Sequence, residues 1–180
     1  DVWAVRKAGL NILMSRRGDH KPVAGIEDVS VPQEKLAEYL QRILDFCMVK
    51  NDIGEVAVYA HASAGCLHVR PLLNMKSGYD IERLRIVGEF AADLAVEYSG
   101  VMSGEHGDGL ARSIYNPRLF GSTLFGALQE TKRIFDPENL LNPGKVVDTP
   151  SPIENMRMGP TYQTIELKTV FDWGPDGGYA

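Results

Sequence analysis

Two cysteines in 180 residues leave no room for a disulfide framework. They also stand in unlike settings, Cys47 at an apolar position of a helical pattern and Cys66 between two histidines. The chain lacks any apolar run near the roughly 20 residues that span a bilayer, and no charged-then-apolar leader opens it. Lysine and arginine number 19 against 24 acidic residues, and no basic cluster exceeds Ser15-Arg16-Arg17. With a net charge of -5, nucleic acid and anionic membranes are poor partners. No strand, GxGxxG and helix sequence supplies a dinucleotide fingerprint. These absences describe a soluble protein of the reduced cytoplasm. An opening on Asp1, inside a helical pattern, also leads us to expect a piece of a longer protein.

What is present is a core-forming chain, 44% hydrophobic and 24% charged, with alternating helix and strand signals. Val2, Val5, Ile12 and Leu13 keep a helical period that ends at Gly18-Asp19, and Val23 to Val31 reads as a strand. Ser30 is a candidate N-cap for a helix carrying Leu36, Leu40, Ile43, Leu44 and Cys47. Glu55 to Tyr59 and Cys66 to Arg70 suit two strands, with Ala62 to Gly65 as their turn. Ile81 to Tyr98 describes a long amphipathic helix closed by Ser99-Gly100, and Val101 to Ser103 would be a short buried strand. Leu119 to Phe135 forms another helix, broken at Asp136-Pro137. From residue 148 to 163 there is no apolar periodicity, and Thr164 to Trp173 is the last strand candidate. The order predicts an α+β fold, a ferredoxin-like antiparallel sheet covered by helices, over residues 1–147, with a linker and the start of a following segment over 148–180.

The chemistry concentrates in two glycine-bearing loops, His61-Ala-Ser-Ala-Gly-Cys-Leu-His68 and Gly104-Glu-His-Gly-Asp-Gly109. If Ala62 to Gly65 are a four-residue turn, His61 pairs with Cys66, and His68 lies two residues on along the same face. Such diagonal neighbours have Cβ atoms somewhat under about 7–8 Å apart. Two imidazoles leaning inward can close that gap on a metal at about 2.0–2.1 Å. Glu105 would be a third ligand, leaving an open position for water or a substrate oxygen. The alternative is a ferredoxin-like binding module in which the histidines merely pack. An autonomous metal-dependent hydrolase with His106 as base is another, although no second acid or oxyanion donor is evident.

The hairpin, the Gly104-Glu-His-Gly segment and Phe135-Asp-Pro-Glu-Asn-Leu-Leu-Asn-Pro-Gly-Lys145, in this order and at these separations, resemble the C-terminal domain of FAD-linked oxidases of the vanillyl-alcohol-oxidase superfamily. The likeness is to D-lactate dehydrogenases, glycolate oxidase flavin subunits and D-2-hydroxyglutarate dehydrogenases. It implies a cap domain that helps oxidise a D-2-hydroxy acid to the 2-oxo acid, with FAD held mainly by an N-terminal domain outside this chain. It further implies a divalent metal, zinc or manganese, on His61, His68 and Glu105. His106 matches the general base, Arg6 an arginine clamping a substrate carboxylate, and Asn142 and Lys145 residues beside the flavin. The isolated chain is accordingly expected to fold without being catalytically competent.

Two departures stand out. Relatives carry Gly-Asp-Gly-Asn-Leu-His where this chain has Ser63-Ala-Gly-Cys-Leu-His68, so an acidic and an amide side chain become Ala64 and Cys66. A substrate-binding lysine of the family falls on Ile26, with Glu27 and Asp28 beside it. The Ala-Ser-Ala-Gly-Cys-Leu-His segment is similar to large members fused to an iron-sulfur module. Those continue past a segment like Phe171-Asp-Trp to Gly178, which implies an iron-sulfur cluster in a C-terminal module beyond this chain.

Overall fold

A computed structural model describes residues 1–163, 165 and 168–176. Its elements are α1 (Val2–Met14), β1 (His20–Pro22), β2 (Ile26–Ser30), α2 (Leu36–Asp45), β3 (Val56–His61), β4 (Cys66–Asn74), α3 (Gly78–Glu97), α4 (Gly109–Arg112) and α5 (Asn116–Phe135). The fold is the expected α+β antiparallel sheet with helices. β4 is its axis, because β1, β2 and β3 all pair antiparallel with it. Among the described residues no helix is long and apolar enough to cross a membrane.

Strand register decides which residues face the helices. Val58 pairs with Val69 and Ala60 with Leu67, and this face joins Ile26 and Val29 of β2 against Tyr39, Ile43 and Cys47 and against Val87, Ala91 and Ala95 of α3. Each fully buried aliphatic side chain contributes about 1.5–3 kcal/mol relative to exposure. The opposite face of the same hairpin carries Tyr59 and His61 on β3 and Cys66, His68 and Arg70 on β4, since His61 pairs with Cys66 and Tyr59 with His68. The predicted hairpin register is the observed one. Gly65 makes it possible: its φ of +67° is left-handed, and a Cβ there would strike the Val31 carbonyl oxygen.

Several local expectations need correction. The strand expected over 23–31 shortens to β2, and an unexpected short strand, β1, precedes it; the two hold the near and far parts of β4, with a register shift between Ile26 and Val29. Ser30 is no helix cap. It ends β2, a 3-10 turn Gln33–Lys35 precedes α2, and Phe46–Lys50 widens into a π-turn after it. The left-handed residue after α3 is Ser99 (φ 55°), not Gly100. Val101 forms only an isolated bridge with Ser30, because the chain turns at once into the Gly104 loop. Gly121, at φ 70° and ψ 168°, interrupts α5. The strand expected at Thr164 to Trp173 falls partly outside the described residues (164, 166 and 167), and its described remainder forms no strand. Gly177 and Gly178 also lie outside them.

α1 stands apart from the core. None of its residues is buried, and Val2, Trp3, Val5 and Ile12 are 66–85% exposed.

Candidate functional site

The site is built at the turn end of the β3–β4 hairpin, where the outer face meets the Gly104–Gly109 loop. The loop is placed by one residue of β2. Asp28 takes the amide of Gly104 on its main-chain oxygen at 2.8 Å. Its carboxylate accepts the amides of Glu105 (3.1 and 3.2 Å) and His106 (2.8 Å) and the Ser103 hydroxyl (2.7 Å). The shift in register between Ile26 and Val29 is a bulge-type irregularity, and such features re-aim a side chain out of its regular strand direction. Asp28 is fully buried. Desolvation is the largest single influence on its carboxyl and opposes ionisation, but the hydrogen bonds from Ser103, His106 and Glu105 together outweigh it and hold its pKa below the usual value. Gly104 permits the approach, because a Cβ there would strike Ser30 Oγ.

With the loop so held, Glu105 Oε1 stands 3.3 Å from His61 Nε2, 3.1 Å from His68 Nε2 and 3.5 Å from His106 Nε2. The His61 and His68 ring centroids are 5.0 Å apart, and those of His68 and His106 5.2 Å. Three imidazoles and one carboxylate therefore converge, as the hairpin register demanded for the first two. His68 is the buried member, and its Nδ1 bonds the Glu27 carbonyl oxygen. A carbonyl only accepts, so Nδ1 carries a proton, and this bond turns Nε2 toward Glu105. His106 sets Nδ1 at 3.8 Å from both Glu27 Oε1 and Asp28 Oδ1, which turns its Nε2 to the open side.

This donor set suits a divalent cation. Histidine nitrogens and a carboxylate oxygen, with a backbone-oriented imidazole behind them, are the usual ligands of a catalytic ion. A second grouping overlaps it among the described residues, since ligand atoms of Asp28, Cys66, His68 and Glu105 lie within 4.8 Å of one another. The outer set of His61, His68 and Glu105 is chemically better. Asp28 already accepts from three donors of the loop, and the Cys66 thiol bonds to it at 3.8 Å. Burial is the main influence pushing that thiol's pKa up, with the Asp28 and Glu105 carboxylates assisting and a hydrogen bond with Ser30 opposing, away from the thiolate a metal would require. Sequence reasoning missed Asp28 as the anchor of this loop. Its signal was an acidic residue between the apolar positions of β2.

The remaining candidates are placed less centrally. Arg6 lies on α1 with its guanidinium carbon 5.3 Å from the centroid of the Tyr59 ring, two residues along β3 from His61 on the same face. Asn142 is exposed with φ 49°, and Lys145 is half-buried. The described contacts join neither to the histidines. Their loop is nevertheless tied to the segment after Glu105: Ser113 Oγ accepts the Val146 amide (2.9 Å), and Asn116 Nδ2 donates to Val146 O (3.0 Å) and Asp108 Oδ2 (3.2 Å).

Residues 1–146 match the family model for the C-terminal domain of FAD-linked oxidases. The chain belongs to that family. Among curated FAD-linked oxidase relatives it is 40% identical to a D-2-hydroxyglutarate dehydrogenase of Pseudomonas putida and 37% identical to that of Escherichia coli. Both matches run over 146 residues and 81% of this chain. It is 36% identical over 138 residues, 74% of the chain, to a D-lactate dehydrogenase of Archaeoglobus fulgidus. The chain spans 14% of the length of the first two relatives and 29% of the third. The converging loops thus lie wholly within the part that defines this FAD-linked oxidase domain.

Proposed function

We propose that residues 1–147 act as the substrate-facing domain of an FAD-dependent dehydrogenase that oxidises a D-2-hydroxy acid to the 2-oxo acid. The flavin-binding domain, in this reading, lies elsewhere in a longer protein. The observation that carries it is the convergence of His61, His68 and Glu105 beside His106, within a domain of the FAD-linked oxidases.

When bound, the flavin would accept a hydride from the carbinol carbon, and a divalent cation on His61, His68 and Glu105 would acidify the hydroxyl and anchor the neighbouring carboxylate. The protein's own part is positional and acid–base. His106 takes the hydroxyl proton at Nε2, while the Glu27 and Asp28 carboxylates on its Nδ1 side stabilise the imidazolium that results. Arg6 clamps a substrate carboxylate, and Asn142 and Lys145 face the flavin ring.

The test uses the full-length flavoprotein. His61→Ala and Glu105→Ala should each empty the metal site in elemental analysis while leaving flavin content unchanged. His106→Ala should keep both metal and flavin yet slow flavin reduction by substrate about 10²-fold or more. Unchanged metal in both ligand variants, or reduction within threefold of the wild type in His106→Ala, would remove these assignments.

A further inference from the structure

We infer that Arg70 binds a second carboxylate of the substrate, so that the site takes dicarboxylic D-2-hydroxy acids, with Glu27 holding the guanidinium until such a substrate displaces it. The inference deepens the proposed function and relies on it for where the reacting end sits.

Strand geometry places Arg70 one step beyond the chemistry. His68 and Arg70 share the outer face of β4, two residues apart, hence roughly 6.6 Å along the strand. Tyr59 sits opposite His68 on the same face, and Arg6 packs over its ring. A hydroxy acid whose hydroxyl and first carboxylate lie against His61, His68 and Glu105 therefore projects an extended chain toward Arg70. An acid of the size of lactate ends before reaching it.

The state of Arg70 marks it as a binding group rather than a strut. Its side chain and that of Glu27 are only 14% and 13% exposed, and they form an ion pair. A pair this buried is weak support for the fold, because desolving two charges offsets much of their attraction. This one is also incompletely used: Glu27 Oε2 meets Nη2 alone, and the buried Arg70 Nε has no hydrogen-bond partner among the described residues. Among the described residues Arg70 Nη1 donates only to the Met14 thioether, at 3.4 Å, a weak acceptor. A substrate carboxylate lying across Nε and Nη2 would complete the bidentate pairing that Glu27 leaves unmade. Glu27 would then face His106 alone, whose Nδ1 is 3.8 Å from its Oε1.

The ordinary alternative is a structural ion pair, and opposite-signed variants separate the two. In the full-length enzyme, Arg70→Gln should raise KM for D-2-hydroxyglutarate about 30- to 100-fold, the loss of a charge-assisted bidentate contact, with kcat/KM for D-lactate within threefold of wild type. Arg70→Lys should recover part of the loss, and Glu27→Gln should tighten binding of the diacid by freeing the guanidinium while slowing turnover of both acids, because Glu27 also supports His106. Calorimetry with glutarate, a diacid that cannot react, should show the same order of affinities. A structural pair predicts instead that Arg70→Gln harms the two substrates alike and that Glu27→Gln binds glutarate no more tightly than wild type, and either result overturns the inference. Unchanged glutarate affinity in Arg70→Gln overturns it as well. If the wild type oxidises neither acid yet binds glutarate through Arg70, the proposed reaction fails and the carboxylate site stands. If it oxidises both but Arg70→Gln leaves their ratio unaltered, only the carboxylate site fails.

Discussion

Two loops of this domain are each organised around a single aspartate, and they differ in where that aspartate comes from. In the Gly104–Gly109 loop the anchor is Asp28, separated by 75 to 78 residues from the groups it holds. In the loop that follows α5 the anchor is Asp136, which accepts the amides of Leu140 (2.9 Å) and Leu141 (2.8 Å), four and five residues on, and the Lys132 ammonium one helical turn back. A local anchor shapes a turn whatever the remainder of the chain does. A remote anchor fixes a loop only when the sheet has already formed, and so makes the geometry of Glu105 and His106 a property of the whole fold. The loop carrying the proposed chemistry has the remote one.

The sharpest test of that contrast is Asp28→Ala. It removes the buried acceptor of two amides and a hydroxyl, and should destabilise the domain by roughly 3 kcal/mol in denaturant unfolding. It should also lower metal content, since Glu105 loses its support. If Asp28→Ala unfolds no more readily than Asp136→Ala, the distinction between remote and local anchoring carries no energetic weight.

Ser103→Ala should act next in size, about 1 kcal/mol at neutral pH, because it deletes one hydrogen bond to a buried carboxylate and leaves the others. Its sign follows from the depressed pKa of Asp28. Stability from such a group is present above the unfolded carboxyl pKa and is lost as pH falls through the folded one. Removing the Ser103 bond moves the folded pKa back toward its usual value. The variant and wild type should therefore converge as pH drops below that range, and a constant difference in melting temperature across all pH would show that the hydroxyl acts by packing.

The same contrast explains what could be read from the sequence. The hairpin was legible down to its register because turn length and strand alternation are local, and they alone pair His61 with Cys66 and bring His68 to the same face. The separate strand β1 was not, since it depends on β4 being long enough to hold β1 and β2 at different places along its length. The ion pair between Glu27 and Arg70 was equally hidden, although both residues adjoin positions that drew notice, Ile26 and His68. Periodicity identifies which face a residue is on but not which remote residue it meets there. Ser99 in place of Gly100 as the left-handed residue is a smaller case of the same kind: either residue could serve the cap, and tertiary packing chose.

The smallest expected effect belongs to Asp136→Asn, which keeps one acceptor oxygen for the amides of two exposed leucines, turns the other oxygen into a donor and removes the charge facing Lys132. The Lys132 bond is the main influence holding the Asp136 carboxyl below its usual pKa, with burial opposing it and the Leu141 and Leu140 amides assisting. The sign is that of Asp28: stability present above the unfolded pKa, and lost as pH falls through the folded one. Thermal unfolding at a series of pH values should show wild type above Asp136→Asn at neutrality and the two curves merging in acid. Because the Lys132 side chain is 20% exposed while Asp28 is fully buried, the gap should also shrink in high salt, whereas the gap between wild type and Ser103→Ala should not. Equal salt sensitivity in the two variants would mean that both anchors are solvated alike, and that the buried position of Asp28 does not set its loop apart.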